Sequence, residues 1–202
     1  MNRSTRDTAR QLFAIALGQG GYFTAKQAQE AGYGYPHLDY HVSTGAFERV
    51  GHGLYRMTSI PYDENDELIR WTLWSRNRND EPQAVVSHES ALAQHGLGEL
   101  LPSRLHFTVP PTFRKAAPAG STLHKAQLAS NDSEERAGFR VTTPLRTLVD
   151  IAGGGASREQ FEKAAADALA RGLVRRSLLN AALERIPGFR RKRSGSIAMP
   201  KK

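Results

Sequence analysis

The sequence predicts an α+β protein that opens with a winged helix-turn-helix and continues into a mixed α/β second domain with C-terminal helices. Two observations carry this. Residues 5–57 show three helical patterns followed at once by a two-stranded hairpin, the ordered parts of a winged helix-turn-helix. From residue 84 onward, short apolar strands alternate with helical segments, the pattern of a compact α+β domain.

The first helix is read from Ala9, Leu12, Phe13 and Ala16, which recur at three- and four-residue spacing, with Arg6, Arg10 and Gln11 elsewhere on the wheel. It ends near Gly18. After Gly20 and Gly21, Thr24 and Gln27 have the spacing of a capping box for a second helix, and Phe23 is placed to staple onto Ala28. Gly32 stops that helix, and Tyr33 and Gly34 make the turn. Pro36 suits the first position of a third helix, where its missing N–H has no helical partner anyway, and Gly45 ends it. Residues 47–50 and 54–57 are extended aromatic and aliphatic runs around Gly51, His52 and Gly53, whose glycines tolerate tight-turn dihedrals. This hairpin is the wing.

Past Ser59, Ile60 and Pro61 the composition changes, with Asp63, Glu64, Asp66 and Glu67 opening a helix that runs through Trp71 and Trp74. The domain boundary is therefore expected at 58–62. Strands are expected at 84–86, 105–109 and 139–142, with a helix at 87–94. Thr143 and Pro144 cap a helix over 145–152, Gly153 to Gly155 form a linker, and Ser157 with Gln160 boxes a helix running to Arg171. A final helix over 175–185 is broken by Pro187 and Gly188. The expected organisation is a DNA-binding unit at 1–58, an α+β interaction unit at 62–186, and a basic disordered tail at 187–202.

Charge adds little to this by itself. The formal net charge is +8, but residues 187–202 hold six Lys/Arg and no Asp/Glu. The first 57 residues hold six Lys/Arg against four Asp/Glu. A basic tail is a common property of disordered ends, so a nucleic-acid reading has to rest on local architecture. No apolar run approaches the ~18 residues of a membrane span, and no signal peptide is recognisable after Arg3 and Arg6. The absence of cysteine removes disulfides and thiolate metal sites. The expected setting is the cytoplasm, with no membrane and no cofactor.

On the third helix, Leu38 and Val42 fall together on one face, while His37, Tyr40, Ser43 and Thr44 fall on the far side at about 100° per residue. His41 lies one turn from His37. Hydroxyl, imidazole and aromatic groups can meet base edges and thymine methyls in a major groove. The helix lacks the Arg or Asn that makes the most specific bidentate contacts, which points to modest or water-mediated readout. Arg49, Arg56 and the tip residue His52 are expected to meet phosphates or the minor groove, and Arg6 and Arg10 to hold the first helix on the backbone. The alternative is that this polar face is simply wetted, or binds protein.

Several chemical motifs fail on spacing. His37 and His41 could present two nitrogens to zinc, but nothing completes the set. His88 and Glu89 begin like a zincin helix, yet Leu92 stands where the second histidine belongs. Ser87 and His88, as helical neighbours, should point apart, so Ser87 reads as an N-cap. Arg146 and Asp150 are spaced to pair across one helical turn. Trp71 and Trp74 read as core or interface anchors rather than a base-stacking platform. No catalytic or metal-binding residue is assigned.

The strings at 21–28 (GYFTAKQA), 45–56 (GAFERVGHGLYR), 87–92 (SHESAL) and 143–150 (TPLRTLVD), in this order, resemble an AbiEi-type antitoxin over most of residues 10–172. The resemblance implies an autorepressor of a bicistronic toxin–antitoxin operon, binding double-stranded DNA at its own promoter. It also implies a second domain needed for antitoxicity and a toxin resembling a nucleotidyltransferase. A homodimer on DNA is one arrangement consistent with it. At the wing tip His52 stands where the family commonly carries Arg or Lys, so the charge there would follow pH around ~6.5. Related proteins join this front end to a Vsr-like endonuclease, and the roughly thirty residues after Arg171 are expected to be too few for one. Two other readings remain: a protein-interaction module that neutralises the toxin directly, and a DNA-processing accessory protein, for which no carboxylate cluster is seen.

Overall fold

The computed structural model describes residues 5–99, 102–154 and 157–186. The basic tail with Arg190, Arg191, Lys192 and Arg193, and Gly155 of the expected linker, lie outside the described residues.

Helices α1 (Thr5–Leu17), α2 (Ala25–Ala31) and α3 (Tyr35–Ser43) pack against strands β1 (Tyr22–Thr24), β2 (Phe47–Gly51) and β3 (Leu54–Met57). The strands form an antiparallel sheet in the order β1-β3-β2. Both halves of the Thr24–Gln27 capping box are present, worth about 1 kcal/mol to so short a helix. Gly32 follows at φ 106°, a left-handed conformation that favours glycine.

The core of this unit holds Leu12, Ala16, Phe23, Ala28, Leu38, Phe47 and Tyr55. Phe23 stacks on Tyr55 at 5.7 Å and meets Phe47 edge-on at 5.0 Å. The buried stripe of α1 runs through Leu12, Ile15 and Ala16. Ala9 is exposed and Phe13 is 44% exposed, so the expected apolar face is rotated by about one residue. Strand β1 was not expected; Phe23 lies in it instead of preceding the helix as a simple staple.

The second unit begins with α4 (Asp66–Trp74) and continues through β4 (Val85–Val86), α5 (His88–His95), β5 (Leu105–Val109), β6 (Ser121–Lys125), β7 (Ser133–Arg136) and β8 (Phe139–Thr142). Helices α6 (Pro144–Gly153), α7 (Arg158–Ala170) and α8 (Arg176–Leu183) follow. The sheet has the order β6-β5-β4-β8-β7. Strand β4 pairs antiparallel with β5 and parallel with β8, while β6 is parallel to β5 and β7 antiparallel to β8. The fold is thus α+β, a winged helix followed by a mixed α/β unit with C-terminal helices.

Helices α5 to α8 share an apolar core that includes Leu92, Leu148, Ile151, Phe161 and Leu179. A third core joins the two units. Tyr22 and Leu54 from the wing sheet pack with Leu68, Ile69 and Leu73 of α4 and with Val86, Phe107 and Val141 of the larger sheet. Helix α4 is therefore wedged between the two sheets, touching β1 on one side and β4 and β8 on the other. Strands β1 and β3 of the wing sheet are buried along their whole length, while β2 keeps Glu48 and Arg49 exposed.

Candidate nucleic-acid interface

Helix α3 is held by its buried face. Leu38 is fully buried, and Val42 packs against the same core. Tyr33, in the turn before the helix, lies against His37 (6.4 Å), His41 (5.5 Å) and Phe47 (6.0 Å). Pro36 was expected at the first helical position; the helix begins one residue earlier, at Tyr35, so Pro36 stands second, where its missing N–H is still without a helical partner.

The opposite face is open. His37, Tyr40, Ser43 and Thr44 are exposed, Tyr40 to 62%. The Ser43 hydroxyl donates to Tyr40 O (2.7 Å) and that of Thr44 to His41 O (3.2 Å). Their protons are spent on the helix, so both oxygens face outward as acceptors, suited to the amino donors of adenine or cytosine. His41 departs from the expected set. Its ring is half-buried, 4.7 Å from that of Phe47, because its position turns it toward the core side occupied by Leu38.

Two further side chains on this helix were not singled out from sequence. Tyr35 is 60% exposed at the helix start, where an aromatic group beside a turn gives no periodic signal. Asp39 is exposed as well, and its charge opposes a phosphate backbone.

On the wing, Arg49 and His52 are exposed, as are Arg6 and Arg10 on α1. The wing tip is fastened from the second unit. Arg76 donates from Nη2 to His52 O (2.9 Å) and Gly53 O (2.8 Å), while its Nε pairs with Asp80 at 2.8 Å. Asp80 also accepts from the Thr24 hydroxyl that caps α2. Arg70 donates to Val50 O at 3.2 Å. A side chain on Gly53 would be strained by its left-handed φ of 59°, and its Cβ, 3.0 Å from the Arg76 guanidinium, would push that group aside. Neither Arg76 nor its wing-tip targets were singled out from the sequence, since residues 76–80 lie outside any helix.

Arg56 is a correction. Expected on the outer surface of the wing, it is 1% exposed. Its guanidinium donates to Ile60 O (2.7 Å) and Met57 O (3.3 Å), lies 3.5 Å from Asp66, and stacks over Tyr62 at 3.5 Å. Tyr22 donates to the same Asp66 carboxylate at 2.8 Å, and burial together with that carboxylate holds its phenol above the usual range. Arg56 is a linchpin between the units and is closed to DNA.

The second unit brings together residues that sequence reasoning kept apart. Ser87 occupies the N-cap position of α5, but its side chain makes no cap bond. Its hydroxyl meets His88 Nδ1 at 2.9 Å. The expectation that these neighbours point apart assumed helical geometry, whereas Ser87 is extended and His88 sits at φ 51°. The His88 ring stacks on His124 at 3.5 Å, and His106 Nδ1 lies 3.0 Å from His124 Nε2 and 3.1 Å from Glu89.

Burial, followed by the neighbouring His124 and His106, drives His88 down to about 3, and burial also lowers His106 and His124. Ser87 is fully buried, so this pair does not present a nucleophile to solvent. Arg146 bridges Asp150 (2.8 Å) and Asp132 (3.2 Å), the first as its spacing predicts. Burial raises Asp150 to about 6 against the lowering effect of Arg146. No group of three or more His, Cys, Asp or Glu is arranged to hold a metal ion among the described residues.

Trp71 and Trp74 do pack against the joining core, as expected of anchors, but both remain half-exposed. No helix among the described residues is long and apolar enough to cross a membrane.

Comparison with known proteins agrees with this architecture. The chain is similar in fold to the RV2827C protein from Mycobacterium tuberculosis, with a TM-score of 0.55 at 16% identity over 93% of this chain and 74% of that one. No curated protein matches it in sequence. The family profile described as "Transcriptional regulator, AbiEi antitoxin" matches residues 10–58, and that described as "AbiEi antitoxin C-terminal domain" matches residues 84–197, more than half of the chain. An exposed polar helix face beside a wing, joined to a second α/β unit, is thus found in a chain that belongs to the AbiEi antitoxin family.

Proposed function

We propose that the protein is an autorepressor and antitoxin that binds double-stranded DNA at its own promoter, with α3 in the major groove and the wing on the backbone. The observation that carries this reading is the open face of His37, Tyr40, Ser43 and Thr44 opposite buried Leu38, displayed beside a fastened wing. Tyr40, Ser43 and Thr44 address bases, while Arg49, Arg6 and Arg10 position the protein on phosphates. His52, exposed at the wing tip, adds a polar group beside them. Residues 1–58 are the reading unit, 62–186 the antitoxin unit that meets a nucleotidyltransferase-like toxin, and 187–202 a tail adding sequence-independent attraction. The protein works by binding, without catalysis or cofactor, in the cytoplasm, and a homodimer would match a two-half-site operator.

The test is titration of the purified protein against a labelled duplex of its own upstream region and a scrambled duplex of equal length, at two salt concentrations. Tighter, salt-sensitive binding to the native duplex supports the reading; equal or absent binding overturns it.

A second reading has its own support. Helix α3 carries no Lys or Arg and exposes Asp39, a composition that suits a protein partner as well as a duplex. On that reading the protein neutralises the toxin by direct contact, and loss of DNA affinity leaves neutralisation intact.

A further inference from the structure

A cleft of about 790 Å³ lies between the wing tip and the second unit. Gly51 and His52 of the wing form one lip. Its wall is aromatic: Trp71 and Trp74 meet edge to face at 6.1 Å, and Trp74 meets Phe113 at 5.8 Å. Five cationic side chains and no carboxylate line it among the described residues.

These cations are not equivalent. Arg76 is committed to the wing carbonyls and Asp80. Arg70 lies over Trp71 at 4.6 Å, and Lys115 lies 5.4 Å from the Trp74 ring while donating to Trp74 O and Arg76 O. Arg78 and Arg114 are exposed and have no carboxylate partner among the described residues. The site therefore combines half-buried aromatic surface with unneutralised positive charge.

That combination fits a ligand carrying flat π-surfaces on an anionic chain. A duplex keeps its base faces inside the stack, whereas a single strand presents them. An acidic peptide satisfies the cations but offers no regular series of flat rings. Continuity with the wing also favours nucleic acid, since the residues at the wing tip are shared by the two surfaces. We propose that this cleft binds a single-stranded nucleic-acid segment, its bases against Trp71 and Trp74, which buried Phe113 backs, and its phosphates against Arg78 and Arg114. The continuity argument rests on the reading of the wing as DNA-facing; the aromatic wall and free cations do not.

Trp71 and Trp74 are the only tryptophans of the chain, so intrinsic fluorescence reports on the cleft and not on the basic tail. The full chain is titrated with a 15-nucleotide oligothymidylate, with polyglutamate and with a mixed-sequence duplex as separate ligands. Saturable quenching by the oligonucleotide that weakens with salt is expected. The exposed double variant R78E/R114E should raise its Kd by at least about tenfold, with unchanged circular dichroism, whereas R176E on α8 should leave it within about twofold. Absence of quenching, an unchanged Kd in R78E/R114E, or equal competition by polyglutamate or duplex would overturn the proposal. The operator titration stands apart: failure there with oligonucleotide quenching retained removes the promoter reading and leaves the cleft, and the converse removes only the cleft.

Discussion

Arg76, just beyond α4, donates to the carbonyl oxygen of His52 at the tip of the wing, at 2.9 Å. The wing tip is thereby tied to the second unit by a charge-assisted bond. Replacing Arg76 by Ala removes this bond, its companion to Gly53 and the Asp80 pair together. Amide exchange at residues 51–54 should accelerate, and duplex affinity should fall by about three- to tenfold while preference for the native sequence survives. Unchanged exchange at the wing tip would show that Ala25 N–H, which also donates to Gly53 O at 2.9 Å, suffices to hold it.

The two arginines of the wing should behave in opposite ways. Arg49→Ala should leave thermal stability nearly unchanged, weaken binding to all duplexes and reduce the salt slope by about one. Arg56→Ala strands Asp66 among buried groups and should cost about 3–5 kcal/mol in denaturant unfolding. A stable Arg56→Ala protein with weakened DNA binding would return this residue to the interface.

On α3, replacing Tyr40 and Thr44 together by Ala should bring the affinities for native and scrambled duplexes closer, by about tenfold for a loss of ~1–2 kcal/mol of discrimination. Parallel weakening on both duplexes, with the ratio kept, would mean that these side chains meet phosphates instead of bases.

The histidine stack predicts an acid-sensitive fold. His88 has its folded pKa lowered from 6.5 to about 3, so the unfolded chain takes up the proton more readily. Its contribution is fully present above pH 6.5 and is lost as pH falls toward 3. Asp150, raised from 3.8 to about 6, acts in reverse and stabilises as pH falls from about 6 toward 4. Comparing wild type with His88→Gln isolates the first effect: between pH 7 and 5 the wild type should lose about 2 kcal/mol more unfolding free energy than the variant. Parallel pH profiles for the two proteins would place the sensitivity elsewhere.

Local chemistry was legible in the sequence and long-range packing was not. The capping boxes of Thr24 with Gln27 and of Ser157 with Gln160 form as their spacing predicts, because each closes within four residues. Strands β6 and β7, whose sequences are STLHK and SEER, were missed. They occupy the two edges of the sheet, where polar side chains on both faces erase the alternation that marks a strand.

Arg56 was misplaced for a related reason. Placing Arg56 on phosphates assumes that its strand keeps one wet face, whereas α4 covers that face and all four residues of β3 are buried. Likewise, nothing in the sequence near Trp71 marks the wing as the opposite lip of its cleft, since those partners are about twenty residues apart. The polar face of α3, by contrast, depends only on helical pitch and was readable apart from His41.

Burial of β3 on both sides sets a limit on recombination. A detached winged helix would uncover Tyr22, Leu54 and the aliphatic stem of Arg56 at once, so residues 1–58 alone should tend to associate through that surface. Chimeras that exchange the winged helix with that of a relative would have to carry α4 along with it, or graft only the outward residues of α3. Interchange of parts in such a chain is confined to surfaces, because the seam between its halves is made of core.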